Sequence, residues 1–274
     1  MITKPKYYDE IQRLRLIDDE LMELVFDNNI EAAELLVHVI LGRDDIKIIS
    51  AKTQVTLKGL MREVRLDILA VDDKGGKYNI EFQRKRKGAE PERARLNASM
   101  IDANSLDKGG DLTELPEVYV IFITEHDVLG AGLPLYTIEW RINETGEVFG
   151  CRSHIVYVNG DHRDAVTALG KLVHDIFCEK PDDMYNTSLA ERVRYFKEDE
   201  EGVKEVSEVV ERLIMADRAR EAVRHKKAMK EQMKEVAQRM LETGKLALSE
   251  IASCTGLSVS TIRRMAKKLE AAQA

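Results

Sequence analysis

Between residues 18 and 41, apolar side chains recur at helical spacing: Leu21, Leu24, Val25, Ile30, Leu35, Leu36, Val39 and Ile40. This predicts one amphipathic helix closed by Gly42. The pattern then shortens to alternating or β-branched runs at residues 46–58, 64–73 and 77–85, which read as strands. Asp73-Lys74-Gly75-Gly76 lies between the last two. Glycine tolerates positive φ, so this segment reads as a tight hairpin turn. Residues 90–110 read as a helix ending at Gly109-Gly110. Residues 118–125 are continuously apolar, as a strand covered on both faces would be. Shorter strands are expected near 135–142, 148–152 and 154–159, and a helix over 163–177. Helix, three strands, helix, strand predicts an α/β fold with a mixed central sheet flanked by helices.

Residues 202–242 contain no proline, and their only glycine is at the start. They predict a long charged helix, broken at Gly244. Residues 246–272 resemble a helix-turn-helix. Ala252 is small enough for close packing between two helices, Gly256 suits the turn, and Ile262 points to a shared core. Ser249 and Ser258 read as helix N-caps. The second helix, near 259–269, would enter a major groove, with Ser260, Thr261, Arg263, Arg264 and Lys267 as contacts. The expected organisation is a body over 1–200, a helical linker over 201–243 and an all-α tail over 244–274.

Composition fits this picture. Hydrophobic residues make up 44% and charged residues 33% of 274 positions, a soluble balance able to fill a core. No apolar stretch is long enough to span a bilayer, and the N-terminal residues contain no apolar signal region. Cys151, Cys178 and Cys254 form no CxxC pair, so a reduced cytoplasm is the expected setting. The net charge is −7, unevenly spread. From Arg218 onward there are 13 Lys and Arg against 6 Asp and Glu, so this part is +7 and the remainder −14. A basic tail on an acidic body points to a polyanion as its partner.

The hairpin holds the candidate chemistry. Side chains alternate along a strand, so Glu81 and Gln83 share one face and Ile80 and Phe82 the other. Counting back through the turn places Asp67 opposite Glu81–Gln83. Two carboxylates side by side repel unless a cation or a proton lies between them. Mg²⁺ or Mn²⁺ would relieve that repulsion, and such an ion serves phosphodiester hydrolysis. The Gln83 amide oxygen could orient a water or bind the metal, but unlike lysine it brings no positive charge. A basic rim follows: Arg84, Lys85, Arg86, Lys87, Arg93 and Arg95, with Arg65 on the preceding strand. Acidic ligands beside a basic rim suit a phosphate backbone.

The strings VRLDILAVDDKGGKYNIEFQR, GAEPERAR, MIDANSL and ELPEVYVIFITEHD resemble the PD-(D/E)XK nuclease family transposases, also called recombination-promoting nucleases. GLPLYTIEWR, HIVYVNG and MYNTSLAERVRYFKEDEEGV extend the resemblance over roughly residues 15 to 215. It implies a restriction-endonuclease-like core, Mg²⁺-dependent DNA cleavage and a role in mobile elements or recombination. Asp67 takes the place of the motif aspartate and Glu81 of the second acid, while Gln83 stands where the wider superfamily often has lysine. The superfamily often adds an acid from the first helix, which Glu23 or Asp19 would supply. One departure is Leu96-Asn97, where similar proteins carry aromatic residues after the Arg-x-Arg pair. A homodimer would suit double-strand cutting, since each site cuts one strand. The alternative to an active nuclease is a catalytically silent, DNA-binding regulator that keeps the fold and acts through its tail.

Overall fold

A computed structural model of the chain describes residues 6–59 and 61–273. The chain forms two compact units, one running to Val210 and one beginning at Glu211.

In the first unit, helices α1 (Tyr8–Ile11), α2 (Asp19–Phe26), α3 (Ile30–Leu41), α4 (Pro91–Ala103), α5 (Ala168–Phe177) and α6 (Thr187–Glu198) flank one sheet. Its strands are β1 (Ile48–Lys58), β2 (Glu63–Asp72), β3 (Lys77–Gln83), β4 (Val118–Thr124), β5 (Leu135–Ile138) and β6 (Ser153–Asn159). Their order is β1-β2-β3-β4-β6-β5. The β1–β2 and β2–β3 pairs are antiparallel, β3–β4 and β4–β6 parallel, and β5–β6 antiparallel. This mixed six-stranded sheet with flanking helices is a restriction-endonuclease-like α/β fold. Every residue of β4 is buried, as its unbroken apolar run requires. Val118, Val120 and Phe122 of β4 pack with Ala94, Ala98 and Ile101 of α4. Phe82 of β3 instead meets Phe26 of α2, ring centroids 5.8 Å apart. The sheet is therefore covered by α4 near Glu81 and by α2 near Phe82.

Several boundaries differ from the sequence reading for local reasons. The single helix expected over 18–41 is two helices. Asn28 adopts φ 53° and donates its N–H to the Ala51 carbonyl, while the Asn29 side chain caps α3 by accepting from Ala32 N at 3.1 Å. Helix α4 stops at Ala103 rather than at the glycines. Asn104 Nδ2 and Ser105 Oγ fold back onto the carbonyls of Met100 and Ile101, closing the helix early. Residues 148–152 form no strand and contribute only the bridge Arg141↔Val148. Helix α5 begins at Ala168, because Thr167 accepts from Gly170 N. Val166, inside the helix expected over 163–177, is exposed in the loop before it. The 73–76 turn forms as read, with Gly75 at φ 86°.

Helix α7 (Glu200–Thr243) begins in the first unit, where Val203, Val206, Val209 and Val210 are buried. Its later turns belong to the second unit with α8 (Leu248–Thr255) and α9 (Val259–Gln273). Ala237 of α7 is buried with Ile251, Ala252 and Ile262, and Met240, Leu241, Leu248, Leu257 and Met265 pack around them. Gly256, at φ 67°, turns the chain between α8 and α9. Ser258 Oγ accepts from Thr261 N and so caps α9. Ser249 does not cap α8. That helix starts after Ala247, whose N–H is held by the Glu250 carboxylate at 2.7 Å.

Candidate active site

The β2–β3 ladder runs from Val71↔Lys77 to Ile68↔Ile80. At the next position side chains replace the ladder. Phe82 N donates to Asp67 Oδ2 at 3.0 Å, and Asp67 N donates to Glu81 Oε1 at 3.3 Å. Asp67 thus sits where the strands part, with its backbone touching the carboxylate of Glu81. Both acids are buried, at 7% and 0% exposure.

Glu81 is surrounded by donors. Asn79 Nδ2, two residues back on the same face of β3, donates to Glu81 Oε1 at 2.9 Å. Asn97 Nδ2 of α4 donates to Asn79 Oδ1 at 3.0 Å. One turn earlier on α4, Arg93 Nη2 lies 2.7 Å from Glu81 Oε2. Positions four apart share a helix face, so α4 lays both Arg93 and Asn97 over β3. The departure at Leu96-Asn97 has a structural reason. An aromatic ring at 97 could not continue the amide chain from Asn97 through Asn79 to Glu81.

Burial, followed by the charge of Glu81, holds the Asp67 carboxyl well above the usual carboxylate range, and Asp19 adds to the effect. Burial also raises Glu81, while Arg93 and then Asn79 pull it down. Burial and the neighbouring acid thus disfavour the charged form of Asp67, and burial that of Glu81, where Arg93 offsets part of the cost. Of the two first-helix acids, Asp19 is near enough for its charge to act on Asp67. Glu23 lies a turn further along α2, where its backbone carbonyl accepts from Thr53 Oγ1.

The donor chemistry fits a hard divalent cation. Oxygen ligands from one or two carboxylates, with water or substrate completing the shell, are what Mg²⁺ takes. Among the described residues, no group of three or more His, Cys, Asp or Glu side chains is arranged to hold a metal ion. Asp67 and Glu81 are the two buried carboxylates at this point.

Gln83 ends β3 on the face of Glu81. The loop beyond it comes back close, because Gly88 has φ 116° and a Cβ there would collide with Gln83 Oε1. Arg84 points elsewhere. Its guanidinium bonds Asp18 at 3.0 Å and Glu125 at 3.5 Å, and Arg15 bonds the same two acids. This four-membered network ties the start of α2, and with it Asp19, to the ends of β3 and β4. Lys85, Arg86, Lys87, Arg95 and Arg65 are exposed. On α9, Arg263, Arg264 and Lys267 are exposed as well. The structure brings Asp67, Glu81 and Arg93 together, and leaves Lys85, Arg95 and Arg65 on the surface. Asn79 and Asn97 were missed in the sequence. Their signals were the i−2 spacing from Glu81 and the i+4 spacing from Arg93.

The model of the PD-(D/E)XK nuclease family transposases matches residues 33–240. The chain belongs to this family. Membership suggests a nuclease linked to transposition and DNA as its substrate. Asp19 and Glu23 precede the matched region, and α8 and α9 follow it. No curated protein and no solved structure matches the chain. Among the described residues, no helix is long and apolar enough to cross a membrane.

Proposed function

We propose that this protein is a divalent-cation-dependent DNA endonuclease that acts in transposition or recombination. The observation supporting the reading is the buried, touching pair Asp67 and Glu81 at the fork of β2 and β3. A bound Mg²⁺ or Mn²⁺ would act there as a Lewis acid and lower the pKa of water. Asp67 and Glu81 would hold the ion, and Asp19 would add charge from α2. The Phe82 N–H fixes the rotamer of Asp67, and Asn79 fixes that of Glu81. Gln83 would orient the attacking water through its amide. Lys85 and Arg95 would bind flanking phosphates, with Arg65 at the far side of the fork. Arg84, tied to two carboxylates, serves the position of α2 first.

The test is incubation of purified protein with supercoiled plasmid and Mg²⁺ or Mn²⁺. Nicked or linear product is expected from the wild type and none from Asp67→Ala or Glu81→Ala. Equal cutting by Asp67→Ala would refute the site.

A second reading is supported by the exposed Arg263, Arg264 and Lys267 on α9. In this reading the α8–α9 pair is a helix-turn-helix that holds DNA, and the chain is a regulator without cleavage. Salt-dependent binding with no cleavage under any divalent ion would favour it. A homodimer would place two sites on opposite strands, and sedimentation with and without DNA measures that.

A further inference from the structure

Lysine at the position of Gln83 would place a positive charge beside the cleaved phosphate; glutamine cannot. The acid pair nevertheless has a cation in contact. Arg93 reaches Glu81 Oε2 from the first turn of α4 at 2.7 Å. Among the described residues it is the only basic side chain bonded to either acid. Its other guanidinium arm lies on the Gln83 side: a Cβ built at Gly88 would collide with Gln83 Oε1 and sit 3.6 Å from Arg93 Nη1. The amide and the guanidinium therefore flank one glycine. Arg93 is also 35% exposed while Glu81 is fully covered, so the arginine bridges the buried acids and the solvent from which a phosphate would arrive. Glu81 occupies one arm, and the guanidinium fork has further N–H donors for phosphate oxygens. Arg84 is held by Asp18 and Glu125 instead.

We propose that Arg93 supplies the fixed positive charge for phosphodiester cleavage that Gln83 cannot, by contacting the non-bridging oxygens of the scissile phosphate. This rests on the nuclease reading above. In the step itself, a water oxygen forms a bond to phosphorus while the phosphorus–oxygen ester bond breaks. The water proton passes to solvent, and the leaving oxygen takes up a proton from solvent. Arg93 keeps its protons throughout and offsets the charge that builds on the phosphate. Its role is thereby distinct from a general grip on the DNA backbone, which the exposed Lys85 and Arg95 suit.

The experiment uses full-length Arg93→Gln and Arg93→Lys. Glutamine keeps a hydrogen-bond donor toward Glu81 and removes the charge, whereas lysine keeps the charge. Single-turnover plasmid cleavage is measured at saturating Mg²⁺, and Mg²⁺ affinity by calorimetry. The expected result is a rate loss of roughly 100-fold or more in Arg93→Gln. Arg93→Lys, or guanidinium ion added to Arg93→Gln, should recover part of it. Mg²⁺ should bind Arg93→Gln as tightly as the wild type or more so, because Glu81 loses a competing cation. Cleavage by Arg93→Gln at the wild-type rate overturns the proposal. So does a rate loss that saturating Mg²⁺ abolishes, since Arg93 would then only order Glu81, and so does a loss that neither lysine nor guanidinium relieves. A wild type that cuts no DNA is a different failure: it removes the nuclease reading, and this inference with it.

Discussion

Asp67 accepts its hydrogen bond from Phe82 N through Oδ2, a role an amide oxygen can also fill. Asparagine at 67 would keep that bond and remove the charge. Because the folded protein holds the Asp67 proton more tightly than the unfolded chain does, this group favours folding most at acid pH. That advantage disappears as pH rises from the unfolded value, about 4, through the raised folded one, leaving a penalty at neutrality. In EDTA, calorimetry from pH 4 to 8 should give Asp67→Asn a Tm above the wild type near neutrality, with the gap closing toward pH 4. Mg²⁺ should raise the wild-type Tm and leave the variant unchanged. A variant less stable than the wild type at pH 7 would show that the cost of burying the charged Asp67, with the Glu81 charge beside it, is not dominant at this pair. The acids themselves were legible in the sequence because a two-residue period and a short turn fix which side chains meet. The amides of Asn79 and Asn97 were not, since nothing in strand alternation says which helix will cover the strand.

At the level of elements, the loop from β3 to α4 is anchored by Tyr157 Oη on the Ala89 carbonyl and passes close to Gln83 at Gly88. Gly88 has φ 116°, and any Cβ there meets the Gln83 amide. Gly88→Ala should cost about 1–3 kcal/mol, read as a lower urea midpoint with an unchanged slope, and should slow cleavage by displacing Gln83. An unchanged midpoint would mean that the loop relaxes without cost. The strands and their turn followed from sequence because burial on one or two faces leaves distinct patterns. Helix ends followed less well. Asn29, Asn104 and Ser105 act through side-chain bonds to particular backbone atoms, and Asn28 through a left-handed backbone and its N–H on the Ala51 carbonyl; periodicity registers neither. The short helix α6 opens in the same way, with Asn186 accepting from Leu189 N.

Across the whole molecule, charge is divided unevenly. The sequence is +7 from Arg218 onward and −14 before it, with exposed Arg263 and Arg264 on α9. If these two arginines touch phosphates, Arg263→Ala/Arg264→Ala should lower the slope of log affinity against log salt by roughly 2. Anisotropy titrations of labelled duplex from low to high salt measure it. An unchanged slope would remove α9 from the DNA contact. Ala252 and Ile262 were readable as the packing positions of the tail. Ala237 was not, because α7 is so charged that a lone buried alanine leaves no periodic trace.

From Asp67 to Asn97, the residues around the acid pair occupy 31 consecutive positions, and their two strands form a hairpin. Such local pieces close in about 1–10 μs. The sheet that buries them needs β4 and β6, whose parallel pairings join distant parts of the chain and are intrinsically slow to form. The two acids are therefore expected to come together before β4 pairs alongside β3 and sets Phe122 beside Glu81. Burial of the pair is then a property of the completed sheet rather than of the hairpin alone.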